Sequence, residues 1–228
     1  MTASGVHPTT TYEVETPEGP GRWHLDVADD ARAVLALGHG AGGGVTAMDL
    51  ALLAARLPAC GITVARYEQP WRLAGRKVAT PPPRLDAAWI PAVQDLTRSA
   101  GSGRPLLTGG RSAGARVACR TAEAVGSMGV VCLAFPLHLP GRPERSRLPE
   151  LVAPPVSRLV LQGTRDTFGT ADELVACLGA APGVEVVPLP GADHSFRTPA
   201  RAPFSPADLR ALVVESTMRL IDGLTSTA

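Results

Sequence analysis

Apolar residues in this chain fall into short continuous runs, separated by stretches with helical spacing. Ala33–Leu37 (AVLAL), Ile62–Tyr67 (ITVARY), Pro105–Gly110 (PLLTGG), Val130–Phe135 (VVCLAF), Arg158–Gly163 (RLVLQG) and Val184–Leu189 (VEVVPL) have the length and character of buried strands. Ahead of them, Thr11–Thr16 and Arg22–Ala28 flank the turn-forming PEGPG, the pattern of an antiparallel hairpin. Helices are expected near residues 46–57, 84–100, 113–125, 170–179 and 206–222. The sum is about eight strands, the later ones joined by crossover helices and therefore parallel. The class expected is α/β, a mostly parallel sheet with helices on both faces.

No repeat or linker interrupts this pattern. Residues 1–228 read as a single domain, with loose ends at 1–10 and 224–228. Only Pro136–Ser157 separates the sixth strand from the seventh, and that segment lacks a sustained amphipathic pattern. An open cleft without a substantial lid is expected. In such a sheet, reactive groups belong on loops leaving the C-terminal strand ends.

Composition narrows the field by exclusion. Hydrophobic content of 45% with 19% charge rules out a disordered or fibrous chain. The net charge is +1, 22 basic against 21 acidic residues, without a basic stripe. Nucleic acid and acidic membrane surfaces are therefore not expected partners. The start, MTASGVHPTTTYEVET, lacks the basic and apolar regions of a secretory signal, so the expected location is cytoplasmic. Lys77 is the one lysine beside many arginines, a usage that suggests a GC-rich bacterial genome. Cys60, Cys119, Cys132 and Cys177 stand singly in apolar surroundings, as buried reduced thiols do, and no Cys/His spacing calls for a metal.

The chemistry concentrates in Thr108–Arg120, TGGRSAGARVACR. Gly110-Arg111-Ser112-Ala113-Gly114 has the G-x-S-x-G form of a nucleophile elbow. There a sharp strand-to-helix turn exposes the serine hydroxyl, and small flanking residues let strand and helix pass closely. A serine that merely caps the helix is the bland alternative. A hydroxyl needs a base to accept its proton. Of the five histidines, His194, in PLPGADHSF after the last strand, has the position expected of that base. The imidazole in turn needs a carboxylate on its other nitrogen. Asp166, in LVLQGTRDTFG, follows the seventh strand and falls between Ser112 and His194 in chain order. Asp193 is a poorer rival because it adjoins the histidine, and Asp172 because it opens a helix.

Two backbone N–H donors must face the tetrahedral oxygen of such a reaction. Ala113, after the serine, supplies one; the loop His39-Gly40-Ala41-Gly42 supplies the other through Ala41, with Gly40 or Gly42 as neighbouring candidates. His39 is expected to brace the loop. The same loop permits a different reading, since Gly38, Gly40 and Gly43 fit G-x-G-x-x-G, with Glu68 as the acidic residue of a dinucleotide site. A hairpin ahead of the first buried strand argues against it, and no cofactor is expected.

The blocks HGAGGG, YEQPW, GGRSAGAR, FPLHLPGRP, QGTRDTFG and GADHSF, in this order, resemble the α/β-hydrolase superfamily over nearly the whole chain. More narrowly they are similar to a small branch related to dienelactone hydrolases, with testis-expressed and chromatin-complex-subunit relatives. The resemblance implies the α/β-hydrolase fold, Ser112 as nucleophile, Asp166 as acid and His194 as base. Serine here replaces the cysteine usual in dienelactone hydrolases. The function expected is a serine hydrolase, cleaving small soluble carboxylic esters or thioesters through an acyl-enzyme. A non-catalytic interaction protein on the same fold and a dinucleotide-binding protein are the competitors. Trp71, Leu137, His138, Phe168 and Phe196 follow strand ends and are candidates for the pocket wall. Arg111 is expected to pair with acids or carbonyls behind the elbow, and the run Gly141–Arg147 to be a solvated face.

Overall fold

A computed structural model describes residues 9–100, 102–202 and 204–226. Eight strands form one sheet: β1 (Thr10–Val14), β2 (Gly21–Asp26), β3 (Ala33–Gly38), β4 (Ile62–Glu68), β5 (Leu106–Arg111), β6 (Gly129–Leu133), β7 (Ser157–Gly163) and β8 (Val184–Leu189). Their order is β1-β2-β4-β3-β5-β6-β7-β8. The hairpin β1–β2 pairs antiparallel and joins β4 antiparallel; from β4 to β8 every pairing is parallel.

Side chains alternate across the pleat, so each central strand feeds two cores. Leu35 and Leu37 of β3 face α1 (Met48–Arg56) and α7 (Pro206–Thr225), joining Leu50, Leu53, Val213 and Ile221. Val34 and Ala36 face the opposite side, where Trp23, Tyr67 and Trp89 meet Leu96 of α3 (Pro82–Ser99). Farther along that second face, α4 (Ala113–Thr121) and α6 (Ala171–Leu178) cover Val130 and Val160. The short helices α2 (Pro70–Leu73) and α5 (Leu148–Val152) were not expected, and a single turn at Pro58–Cys60 precedes β4. α5 is the one helix between β6 and β7, so nothing there forms a lid.

Two expectations require correction. Thr10 pairs with Leu25, and α7 continues to Thr225, so neither residue belongs to a loose end. Arg32 secures the helix terminus by bonding Asp222 and Thr225 Oγ1. Residues 1–8 and 227–228 lie outside the described ones. Of the cysteines, Cys119 and Cys132 are buried with their sulfurs 3.5 Å apart, but Cys60 and Cys177 are exposed. In α6 it is Leu174 that turns inward; Cys177, three positions on, points outward.

The strand order reverses at β3, whose neighbours are β4 and β5. A crevice opens above such a switch point because the connecting loops diverge there. The loop after β3 and the turn after β5 meet at its edge.

Candidate active site

Ser112 links β5 to α4 with φ 50° and ψ −107°, a conformation in which L-residues are strained. Its N–H is anchored to Leu133 O at 2.9 Å. The elbow is closed by excluded volume. A Cβ on Gly114 would stand 2.2 Å from Gly38 O, and one on Gly110 would stand 2.4 Å from the same oxygen. Glycine is required at both positions for helix and strand to pass.

Ser112, His194 and Asp166 meet through loops from three strand ends. His194 Nε2 is 3.0 Å from Ser112 Oγ, and His194 Nδ1 is 2.8 Å from Asp166 Oδ2. A carboxylate accepts and does not donate, so Nδ1 carries the proton and Nε2 offers its lone pair to the serine hydroxyl. Asp166 is buried. It is satisfied by three donors: His194, the Gln162 side-chain amide at 3.1 Å and the Phe168 N–H at 2.8 Å. Gln162 also donates to Phe135 O and Gly169 O, which locks the acid's loop to the sheet. The rival Asp193 plays another part. Its Oδ1 accepts from the N–H groups of Ser195 and Arg197, shaping the turn that presents His194.

Arg111 reaches behind the site. It bonds buried Asp49 of α1 at 2.5 Å and His194 O, tying the histidine loop to α1. His39 braces the glycine loop. Gln69 N–H donates to its Nε2 at 3.2 Å, so the proton sits on Nδ1, which donates to Gly40 O at 2.8 Å. The peptide plane is rigid and trans, so a Gly40 carbonyl held toward His39 turns the Ala41 N–H the opposite way. Burial depresses the His39 pKa below its ordinary value, in keeping with a neutral ring. The Ala113 N–H belongs to the first residue of α4, where the helix supplies no acceptor.

A cleft of about 630 Å³ opens over these groups, bordered by Gly40–Gly43, Ser112, Ala113 and His194. Among the expected pocket residues, Phe168 borders it and stacks on His194 with centroids 4.2 Å apart. The other four do not border it. Trp71 is buried against His39. Leu137 packs into the core beneath Gly169. His138 is buried and donates through Nδ1 to Leu139 O. Phe196 turns into a separate apolar cavity of about 320 Å³ between α1 and α7. Following a strand end is insufficient, because residues on these loops alternate between rim and core.

Met48, Arg116, Pro136, Leu139, Arg147 and Arg197 border the cleft without having been singled out. Arg147 closes the run Gly141–Arg147 that was expected to be a solvated face. Its backbone N–H bonds Leu137 O at 2.7 Å, which folds it back over the site. Glu68, the acid required by the dinucleotide reading, instead pairs with His24 at 3.3 Å. Among the described residues no cluster of His, Cys, Asp or Glu could hold a metal ion, and no helix is long and apolar enough to cross a membrane.

Comparison with known proteins agrees with this architecture. A family model described as an alpha/beta hydrolase domain matches residues 31–222. The fold is similar to XC6422 from Xanthomonas campestris, described as an α/β serine hydrolase without a lid. The TM-score is 0.73 at 20% identity, over 93% of this chain and 95% of that one. An α/β serine hydrolase homologue from Coxiella burnetii gives 0.73 at 18%, over 93% and 99%. The esterase domain of a Rhodothermus marinus protein gives 0.69 at 18%, over 96% and 100%. At such identities the likeness is one of fold. No curated protein matches the sequence.

Proposed function

Because the chain belongs to the alpha/beta-hydrolase family, we propose that it is a serine hydrolase of small carboxylic esters or thioesters, with Ser112, Asp166 and His194 as its catalytic triad. The observation that carries this reading is the continuous line from Ser112 Oγ through the His194 ring to buried Asp166, at 3.0 and 2.8 Å. It begins at a serine held with positive φ.

In the proposed cycle Ser112 Oγ attacks the substrate carbonyl as its proton passes to His194 Nε2. Asp166 keeps the ring in the required tautomer and stabilises the imidazolium. The carbonyl oxygen becomes an oxyanion between the Ala41 and Ala113 N–H groups, a pair supported by the His39 brace and the free start of α4. The tetrahedral intermediate collapses, the C–O or C–S bond breaks, and His194 returns the proton to the departing alcohol or thiol. Water then attacks the acyl-serine, gives its proton to His194, and the acid leaves as Ser112 recovers it. No part of the cycle calls for a cofactor. We read residues 1–228 as one catalytic domain, and the motif blocks support placing it beside the dienelactone-hydrolase-related branch.

The test is covalent labelling by a fluorophosphonate, followed by turnover of p-nitrophenyl esters of increasing chain length. Wild type should be labelled and active, and Ser112→Ala neither. An unlabelled, inert wild type would overturn the proposal.

A further inference from the structure

The residues bordering the cleft include Arg111, Arg116, Arg147 and Arg197, with no aspartate or glutamate among them. Two of these charges are already answered. Arg111 is paired with Asp49, and Arg116 makes a two-pronged contact with Glu150 at 2.6 and 2.8 Å. Arg120 sits behind Arg116 and shares Glu150 while bonding Asp86. With Arg147 added, three guanidinium groups face two carboxylates, and the surplus lies at Arg147.

Arg147 is half-buried and has no carboxylate partner among the described residues. Its Nη1 donates to Pro136 O at 3.3 Å, a neutral acceptor at the cleft wall. Burial and the neighbouring Arg116 both press its pKa below the ordinary value, with Glu150 only partly offsetting them. A protein rarely leaves a half-buried cation facing another without an anion to complete the set. Arg116 stands one helical turn beyond Ser112, its N–H bonded to Ser112 O at 3.2 Å, so this surplus lies on the nucleophile's own helix side. On the opposite wall, Arg197 follows His194 by three residues and has no ion-pair partner among the described residues.

We propose that the substrate is an ester or thioester bearing an oxyanionic group, a free carboxylate or phosphate, away from the scissile carbonyl. Arg147, backed by Arg116, receives that group. The inference rests on the serine-hydrolase reading and narrows its substrate class. A guanidinium suits this role because its planar fork meets an oxyanion through two parallel N–H bonds. The Coulombic pull also orients the substrate with its charge on the Arg147 side and its carbonyl over Ser112.

The experiment compares three p-nitrophenyl esters of similar length: the hydrogen adipate, its neutral methyl-capped counterpart, and the 6-(trimethylammonio)hexanoate. A 5-phosphonopentanoate ester separates phosphate from carboxylate recognition. Wild type should favour an anionic ester over the neutral one by roughly 10- to 100-fold in kcat/KM, the worth of one charge-assisted pair, mainly through KM. The cationic ester should be poorest. In Arg147→Gln the anionic-to-neutral ratio should fall toward one, and in Arg147→Lys it should recover in part. Because each ratio is taken within one variant, a general loss of folded enzyme cancels. Added salt should weaken the preference.

Equal turnover of anionic and neutral esters, or a preference unchanged in Arg147→Gln, would overturn the inference and leave the hydrolase reading standing. If no ester is turned over and the fluorophosphonate does not react, both fall together.

Discussion

The two sides of the cleft are held by different means. On the Ser112 side the contacts are backbone against backbone: Gly110 and Gly114 press on Gly38 with no room for a methyl group. On the His194 side the chain is more open and depends on side-chain tethers, Arg111 to His194 O and Asp193 to two N–H groups. Steric closure fixes Ser112 and admits one residue type. Polar tethers fix His194, and their parts can be exchanged separately. The difference means that substitutions on the first side should act through stability, while on the second side stability and turnover can be pulled apart.

The largest effect belongs to the second side. Asp166→Asn would present an amide to His194 Nδ1, favouring the tautomer whose Nε2 holds a proton and cannot accept one from Ser112. We expect kcat to fall by roughly 10⁴, as loss of tautomer control does in such triads. Stopped-flow measurement of p-nitrophenol release would check it; a fall under tenfold would remove Asp166 from the mechanism.

Next comes Arg111→Met, which strands the Asp49 carboxylate, its side chain only 1% exposed. Breaking one half of a buried pair costs about 3–5 kcal/mol. The double variant Arg111→Met with Asp49→Leu replaces the pair by apolar groups, which is often neutral. Its Tm should recover most of the loss while turnover stays low, since His194 O remains untied. Recovery of both would show that the tether does not position His194.

The first side is probed by contrasting two glycines. Gly114→Ala drives a Cβ against Gly38 O and should cost about 3 kcal/mol, at the upper end for overpacking. Gly42→Ala meets nothing within 4 Å and lacks a positive φ. Its change should stay within about 0.5 kcal/mol, the range of unencumbered surface positions. Chemical denaturation of both variants tests the contrast; equal losses would contradict the steric account.

The sequence was informative wherever a property is local. Runs such as AVLAL and VVCLAF disclosed their strands because burial on both faces leaves no polar positions. G-x-S-x-G disclosed the turn at Ser112 because the close passage demands small residues. Chain order was enough to single out Asp166 and His194, which the fold brings within hydrogen-bonding distance. What escaped depends on distant partners. Nothing near Asp49 announces that Arg111, 62 residues away, will bond it. Gln162 reads as one more strand residue until its amide is seen holding Asp166 and two carbonyls. Arg147 lay in a charged run of ordinary solvent-facing composition, and only the fold-back onto Leu137 O brings it to the cleft. The pocket wall misled for a related reason: loop residues one apart, such as Leu137 and Pro136, go to core and cleft respectively.

The smallest effect concerns a tether placed among the steric contacts. His39 holds the Gly40 carbonyl from a buried position as a neutral ring, and burial keeps its pKa below the ordinary 6.5. Above that ordinary value both folded and unfolded chains leave the ring neutral, and its contribution is complete. As pH falls below it, the unfolded chain gains a proton that the folded one refuses, so stability declines until the lowered folded pKa is passed. The slope from one proton cannot exceed about 1.4 kcal/mol per pH unit. Glu150 acts in a lower window: burial pushes its pKa up, but Arg116 and Arg120 outweigh that and hold it below 4.5. His39→Gln, whose amide cannot titrate, should therefore flatten the dependence of Tm on pH just below 6.5 and leave intact the more acidic limb, where Glu150 acts. An unchanged profile would mean that His39 is protonated as readily in the folded chain as in the unfolded one. In that case the Gly40–Ala41 peptide would need another brace to keep its N–H aimed over Ser112.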